Sequence, residues 1–197
     1  MPDSTKPDAL QQFPVAVRLP IQWGDLDAYG HVNNLVYLKW FETARAAYAT
    51  EVGVQVIPGP DGVGAVIGSI ECKYLRQLGF PGEVYSGVRM KRLSVGTITL
   101  ESRIVDAELG TTAAEGTCDA VLWDYATRQP VAVPDAIRDA VEKLEGRSFS
   151  VERRAHPRET LGKPASAGGR AQRRSFRQNQ PAARRSLQSV FNSCVRS

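Results

Sequence analysis

A chain of 197 residues, 42% hydrophobic and 23% charged, has the composition of a globular protein with one domain of ordinary size. Its apolar runs stay well short of the ~18 residues of a transmembrane helix. The formal net charge of +4 divides unevenly: residues 1–149 carry 14 Lys and Arg against 19 Asp and Glu, net −5, while residues 150–197 carry 11 against 2, net +9. The basicity belongs to the C-terminal stretch, so a nucleic-acid-binding role for the preceding residues loses its electrostatic basis.

Residues 1–12 carry Pro, Asp, Ser and Gln without an apolar segment, which reads as a flexible N-terminus lacking a secretory signal. A cytoplasmic location is the default expectation. A strand follows in which Phe13, Val15, Val17, Leu19, Ile21 and Trp23 share one face, and Ala16, Arg18 and Gln22 the other. A polar junction then leads into a helix over Asn34–Glu51. Its polar residues Lys39, Glu42, Thr43 and Thr50 fall within an arc of about 100°. The remaining girth, from Leu35 through Trp40 and Phe41 to Tyr48, is apolar enough to predict a helix enclosed by protein.

Four strands are predicted at 63–75, 83–93, 97–105 and 113–125. The breaks between them, Gly79-Phe80-Pro81-Gly82, Ser94-Val95-Gly96 and Glu108-Leu109-Gly110-Thr111, are short and contain glycine, which favours antiparallel hairpins and meanders over βαβ crossovers. Pro134-Asp135 opens a last helix with Ile137, Val141 and Leu144 along one side. The folded domain is placed at 13–149. Residues 150–197, rich in Arg, Ser, Ala, Gln and Pro, read as a disordered basic tail. Contact with nucleic acid or an anionic membrane is its functional reading, and an extension without a role is the simpler one. Cys72, Cys118 and Cys194 are odd in number and far apart, which suits neither a disulfide framework nor a CxxC metal site; the first two are expected buried in strands.

The junction holds the residues suited to chemistry. Asp25 and Asp27 could each hold a proton or cap a turn, and composition does not separate them. Gly30 suits a sharp turn with positive φ. His31, the one histidine before the tail, titrates near neutrality, although a structural histidine would fit equally. Asn33 is a credible helix cap. Glu42 could pair with Arg45 or meet solvent. Tyr37, Trp40 and Phe41, at helical spacing, could line a pocket but more commonly form core. A glycine-rich phosphate loop, a serine nucleophile elbow and a zinc ligand cluster are not found.

The run Trp23-Gly24-Asp25-Leu26-Asp27-Ala28-Tyr29-Gly30-His31-Val32-Asn33-Asn34, followed by Tyr37-Leu38 and Phe41-Glu42-Thr43-Ala44-Arg45, resembles the hotdog-fold acyl-CoA thioesterases related to 4-hydroxybenzoyl-CoA thioesterase. The resemblance spans about residues 13–146. It implies an α+β hotdog fold, a long antiparallel sheet wrapped around a central helix, and hydrolysis of acyl-CoA to a carboxylic acid and coenzyme A with no metal or other cofactor. It assigns Asp27 as the catalytic carboxylate, acting as general base or nucleophile, and the main-chain N–H of Asn34 as the oxyanion donor. His31 takes an orienting or substrate-contacting role. Gly30, Asn33 and Tyr37 border the substrate, and Glu42 is a reserve carboxylate. Lys73, Arg76, Arg89, Lys91 and Arg92 are candidates for the phosphates of coenzyme A. A homodimer or homotetramer is implied, with sites where two helices and sheets meet. A hotdog hydratase or dehydratase is an alternative, disfavoured by the aspartate and paired asparagines. A non-catalytic acyl-CoA-binding protein with a basic interaction tail is the other.

Overall fold

The computed structural model describes residues 6–54 and 62–150. Chain order sets the architecture: β1 (Val15–Ile21), α1 (Asn34–Glu51), β2 (Val63–Tyr74), β3 (Gly82–Leu93), β4 (Thr97–Asp106), β5 (Thr112–Asp124), β6 (Gln129–Pro130) and α2 (Asp135–Glu145). The helix and the four long strands fall within a residue or two of their predicted limits. The strands pair antiparallel in the order β1-β3-β4-β5-β2, with the short β6 also on β5. Consecutive hairpins link β3, β4 and β5, but the break at Gly79-Phe80-Pro81-Gly82 is not the hairpin expected of it: β2 pairs with β5, so the chain after β2 crosses to β3 on the other side of the sheet. Pro20 is tolerated in β1 because an edge strand does not need every N–H in the ladder.

α1 lies on the inner face of the curled sheet, over β1, β3 and β4. Trp40, Phe41, Val84 and Ile104 pack together here, and the buried Ser86 Oγ donates to the Trp40 carbonyl at 2.9 Å. Gly116 makes the approach possible. A Cβ there would stand 2.7 Å from Phe41 Cε2 and 2.6 Å from the Glu71 carbonyl, too close for any other residue. Toward the other end of α1, Ala44 and Tyr48 join Val88, Met90, Leu122 and the α2 residue Val141. Ile137 and Leu144, half-buried, line the same side of α2 as the helical spacing requires.

β1 pairs with β3 only as far as Val88. Beyond that point side chains take over: Glu145 Oε1 accepts from Met90 N–H at 2.5 Å and from the Tyr48 hydroxyl at 2.8 Å, and Arg147 donates to the Met90 carbonyl at 2.5 Å. Both exposed groups of one strand peptide segment are thereby satisfied without a strand.

This is the hotdog arrangement, with four further corrections to the sequence reading. α1 is enclosed along one face only: Tyr37, Trp40, Phe41, Ala44 and Tyr48 are buried, but Leu35 is 64% exposed. Phe13 and Trp23 do not share the inward face of β1. Trp23 belongs to a 3-10 turn and is exposed, and Phe13 precedes the strand and turns to the outer face, where Leu10, Tyr85 and Val105 bury it. Residues 6–12, assigned to a flexible N-terminus, pack instead: Asp8–Leu10 form a 3-10 turn and Leu10 is fully buried, against Gly87. Cys118 is buried as expected, but Cys72, on β2, is half-buried. Cys194 and the basic tail after Ser150 lie outside the described residues. Among the described residues no helix is long and apolar enough to cross a membrane.

Candidate active site

The junction between β1 and α1 is tied into a small closed loop. Asp27 N–H donates to the His31 carbonyl at 2.8 Å, Gly30 N–H returns to the Asp27 carbonyl at 3.1 Å, and Leu26 and Val32 form an antiparallel bridge beneath them. Gly30 sits at φ +76°, the left-handed conformation its residue type permits. Val32 N–H donates to the Leu78 carbonyl at 2.8 Å, which docks the loop onto the chain that follows β2.

The two aspartates separate here. Asp25 closes a capping box on the preceding 3-10 turn: its Oδ2 accepts from Gln22 N–H at 2.8 Å, and its carbonyl accepts from Asn33 N–H at 2.9 Å. Asp27 Oδ1 accepts from the backbone N–H groups of Tyr29 and His31 at 2.9 and 3.2 Å, and neither bond involves Oδ2. Those bonds fix the carboxylate's direction while leaving one oxygen available to a substrate.

Asn33 caps α1, its Oδ1 accepting from Leu35 N–H at 2.9 Å, and its carbonyl accepts from Val36 N–H at 2.9 Å. Asn34, the first helical residue, has an N–H that meets no acceptor among the described residues. An unpaired amide at a helix start carries the positive end of the macrodipole and favours a negatively charged oxygen. The next peptide is gripped from β2: Tyr74 donates its hydroxyl to the Asn34 carbonyl at 3.1 Å, and its ring meets that of Tyr37 edge-on at 5.2 Å. Tyr37 in turn reaches the Arg76 carbonyl at 3.4 Å. Burial raises the pKa of both phenols, for Tyr74 with a further push from Cys72, so both are protonated donors at neutral pH.

These groups border one open cleft of about 330 Å³, lined by Asp27, His31, Val32, Asn34, Tyr37 and the segment Tyr74 to Gln77. Of the residues singled out from sequence, Asp27, His31, Asn34 and Tyr37 come together. Gly30 and Asn33 lie outside its walls, one shaping the loop and the other capping the helix. Glu42 is exposed about 12 Å further along α1 and forms no ion pair with Arg45. Trp40 and Phe41 are core. Val32, Tyr74, Leu75 and Gln77 were missed; that β2 ends against the start of α1 is a tertiary fact no local pattern carries.

A family model described as the thioesterase-like superfamily matches residues 21–141. The chain belongs to the thioesterase-like superfamily. Among solved structures it is similar to a Thermus thermophilus thioesterase complexed with coenzyme A and zinc, at 32% identity over 71% of this chain and 99% of that one, with a TM-score of 0.64. A Pseudomonas aeruginosa protein described as a thioesterase, PA2801, is 32% identical over 66% of this chain and 98% of its own, with a TM-score of 0.60. The PA5185 protein of Pseudomonas aeruginosa PAO1 is 28% identical over 73% and 97%, with a TM-score of 0.61. A search of curated protein sequences gave no match.

In this thioester hydrolase the five cations proposed for coenzyme A are dispersed. Arg76 alone of the five lines the cleft, where it also reaches the Thr111 hydroxyl at 3.4 Å. Arg89 pairs with Glu101 at 3.0 Å and lies over the Phe13 ring on the outer face; Arg92 donates to Thr99 at 3.3 Å. Lys73 and Lys91 border a separate groove of about 220 Å³ with Glu71, Glu101 and Glu115. Such cross-strand charge pairs describe a solvated sheet face. Among the described residues no three His, Cys, Asp or Glu side chains are grouped to hold a metal ion.

Proposed function

We propose that this superfamily member hydrolyses acyl-CoA thioesters to a carboxylic acid and coenzyme A, with Asp27 as the catalytic carboxylate and the Asn34 N–H as oxyanion donor. The observation that carries the reading is the cleft that joins an oriented carboxylate to an unpaired helix-start amide. Thioester cleavage needs those two elements together. In the general-base route Asp27 takes a proton from water as the hydroxyl adds to the carbonyl carbon. The resulting oxyanion rests on the Asn34 N–H, the C–S bond breaks as the carbonyl re-forms, and the thiolate takes up a proton. In the nucleophilic route an Asp27 oxygen attacks the carbonyl carbon, expels the thiolate and leaves a mixed anhydride, which water then opens. His31, in the cleft wall, orients or contacts the substrate. Arg76 is placed to meet an anionic part of coenzyme A, the ligand held by the Thermus thermophilus relative.

The working unit in this reading is a cytoplasmic homodimer or homotetramer. β2 supports it: an edge strand without a second partner among the described residues, with Val66, Ile67, Ile70 and Tyr74 each about 40% exposed or more. The test is hydrolysis of short, long and aromatic acyl-CoA esters by the wild type and Asp27→Asn. Turnover by the wild type and its loss in the variant are expected, and an Asp27→Asn enzyme with full activity on the best ester would sink the assignment. Label in Asp27 after single-turnover hydrolysis in ¹⁸O-water identifies the nucleophilic route, because it requires water attack on the aspartyl carbon of the anhydride.

A further inference from the structure

We infer that Tyr74 is a positioning residue for the oxyanion amide, acting from β2 on the first turn of α1; the inference rests on the role proposed for Asn34. The peptide linking Asn34 to Leu35 is held at both ends by side chains. Its N–H, on Leu35, is taken by Asn33 Oδ1 at 2.9 Å, and its carbonyl, on Asn34, accepts the Tyr74 hydroxyl at 3.1 Å. A peptide plane held at both donor and acceptor resists rotation, and the Asn34 N–H, on the preceding peptide across the Asn34 Cα, is restrained through the helical backbone angles of that residue. The two clamps differ in origin. Asn33 is local and travels with the helix, whereas Tyr74 comes from a strand 40 residues away and sets the amide relative to the rest of the cleft.

The Tyr74 ring supports the same placement. It meets Tyr37 edge-on at 5.2 Å, and Tyr37 sends its hydroxyl back to the Arg76 carbonyl, so the end of β2 and the start of α1 hold each other by two reciprocal contacts. Both Tyr74 and Tyr37 line the cleft beside Asp27. The separation between the carboxylate and the amide is therefore controlled by β2 as well as by the loop that carries Asp27. An oxyanion donor is effective only when aimed at the place where charge develops, so loosening it affects the chemical step more than substrate capture.

Tyr74→Phe removes one oxygen and keeps the ring, which separates the clamp from the packing. With the best acyl-CoA ester found for the wild type, kcat is expected to fall about 10- to 100-fold with KM within about twofold. Hydrogen exchange at the Leu35 amide is expected to quicken, with the melting temperature nearly unchanged. Asn33→Ala acts on the same peptide, so its effect on kcat should combine with Tyr74→Phe less than additively. A Tyr74→Phe enzyme with wild-type kcat, or one whose loss lies in KM, overturns the catalytic part, as does a wild type that hydrolyses none of the esters. Unchanged Leu35 exchange overturns the positional part whatever the activity.

Discussion

β2 and β3 are each twelve residues long, and both alternate apolar side chains, yet seven residues of β3 are buried against one of β2. The difference lies in position. β3 has a strand on either side and α1 across its inner face, whereas β2 has β5 on one side and, among the described residues, no paired strand on the other. Apolar residues that the described residues leave uncovered over a whole strand fit the self-association proposed above. The cleft lies where the end of β2 meets the start of α1, its carboxylate and amide coming from the β1–α1 junction and Tyr74 from β2.

The largest effect is expected at that meeting point. Asp27→Asn keeps the shape of the loop and removes the proposed catalytic carboxylate, and kcat/KM should fall about 10²- to 10⁴-fold in a steady-state assay, with the melting temperature little changed. In the covered region, Phe41→Ala should cost about 3–5 kcal/mol in urea unfolding, because the ring is buried against Gly116 and the site cannot close over the cavity. An equally large effect from an apolar truncation on β2 in the isolated chain would break the comparison. Ile70→Glu in the open region should instead shift sedimentation toward monomer, weakening self-association by about 1.5–3 kcal/mol while far-UV circular dichroism stays unchanged.

The smallest effect is in alkali. Burial raises the hydroxyl pKa of Tyr37, Tyr48 and Tyr74 above the ordinary 10.0, so each stays protonated in the folded state at pH values where the unfolded chain has released its proton. Their contribution is therefore intact below about pH 10 and declines as pH rises from there through the folded values. Urea titrations at pH 8 and pH 10.5 would measure the decline. Tyr48→Phe should flatten it most, since burial and the neighbouring Glu145 both hold that phenol in its neutral form.

Local pattern carried much of this structure and stopped where distant elements meet. Helical periodicity marked α1 at Asn34–Glu51, and alternation marked the four long strands, because both signals are written in adjacent residues. Strand order is not. Val63–Tyr74 reads like any half-buried strand, and only its pairing with β5 makes it an edge. The same limit governed the site. Asp27, His31 and Asn34 were visible as one short run, but residue type did not set Asp25 apart; the family resemblance did, and its capping bonds supply the physical difference. Tyr74 was not visible at all, since its carbonyl partner lies on another element. Phe13 misled for a related reason. Its spacing fits β1, but a turn before the strand sends it to the opposite face, where the guanidinium groups of Arg89 and Arg103 lie 4.9 and 5.1 Å from its ring centre.

The Glu145 and Arg147 bonds to Met90 have a consequence for how copies of this chain could assemble. A sheet with two open margins can polymerise, because each added copy leaves a fresh margin behind it. Here one side is guarded: Pro20 removes a donor from β1, and where β1 ends the carboxylate and guanidinium occupy the groups an incoming strand would need. β2 contains no proline and has no such guard among the described residues. In the homo-oligomer proposed above, strand-to-strand pairing would use that single margin, and an assembly joined through it would close at two copies rather than running on into a fibre.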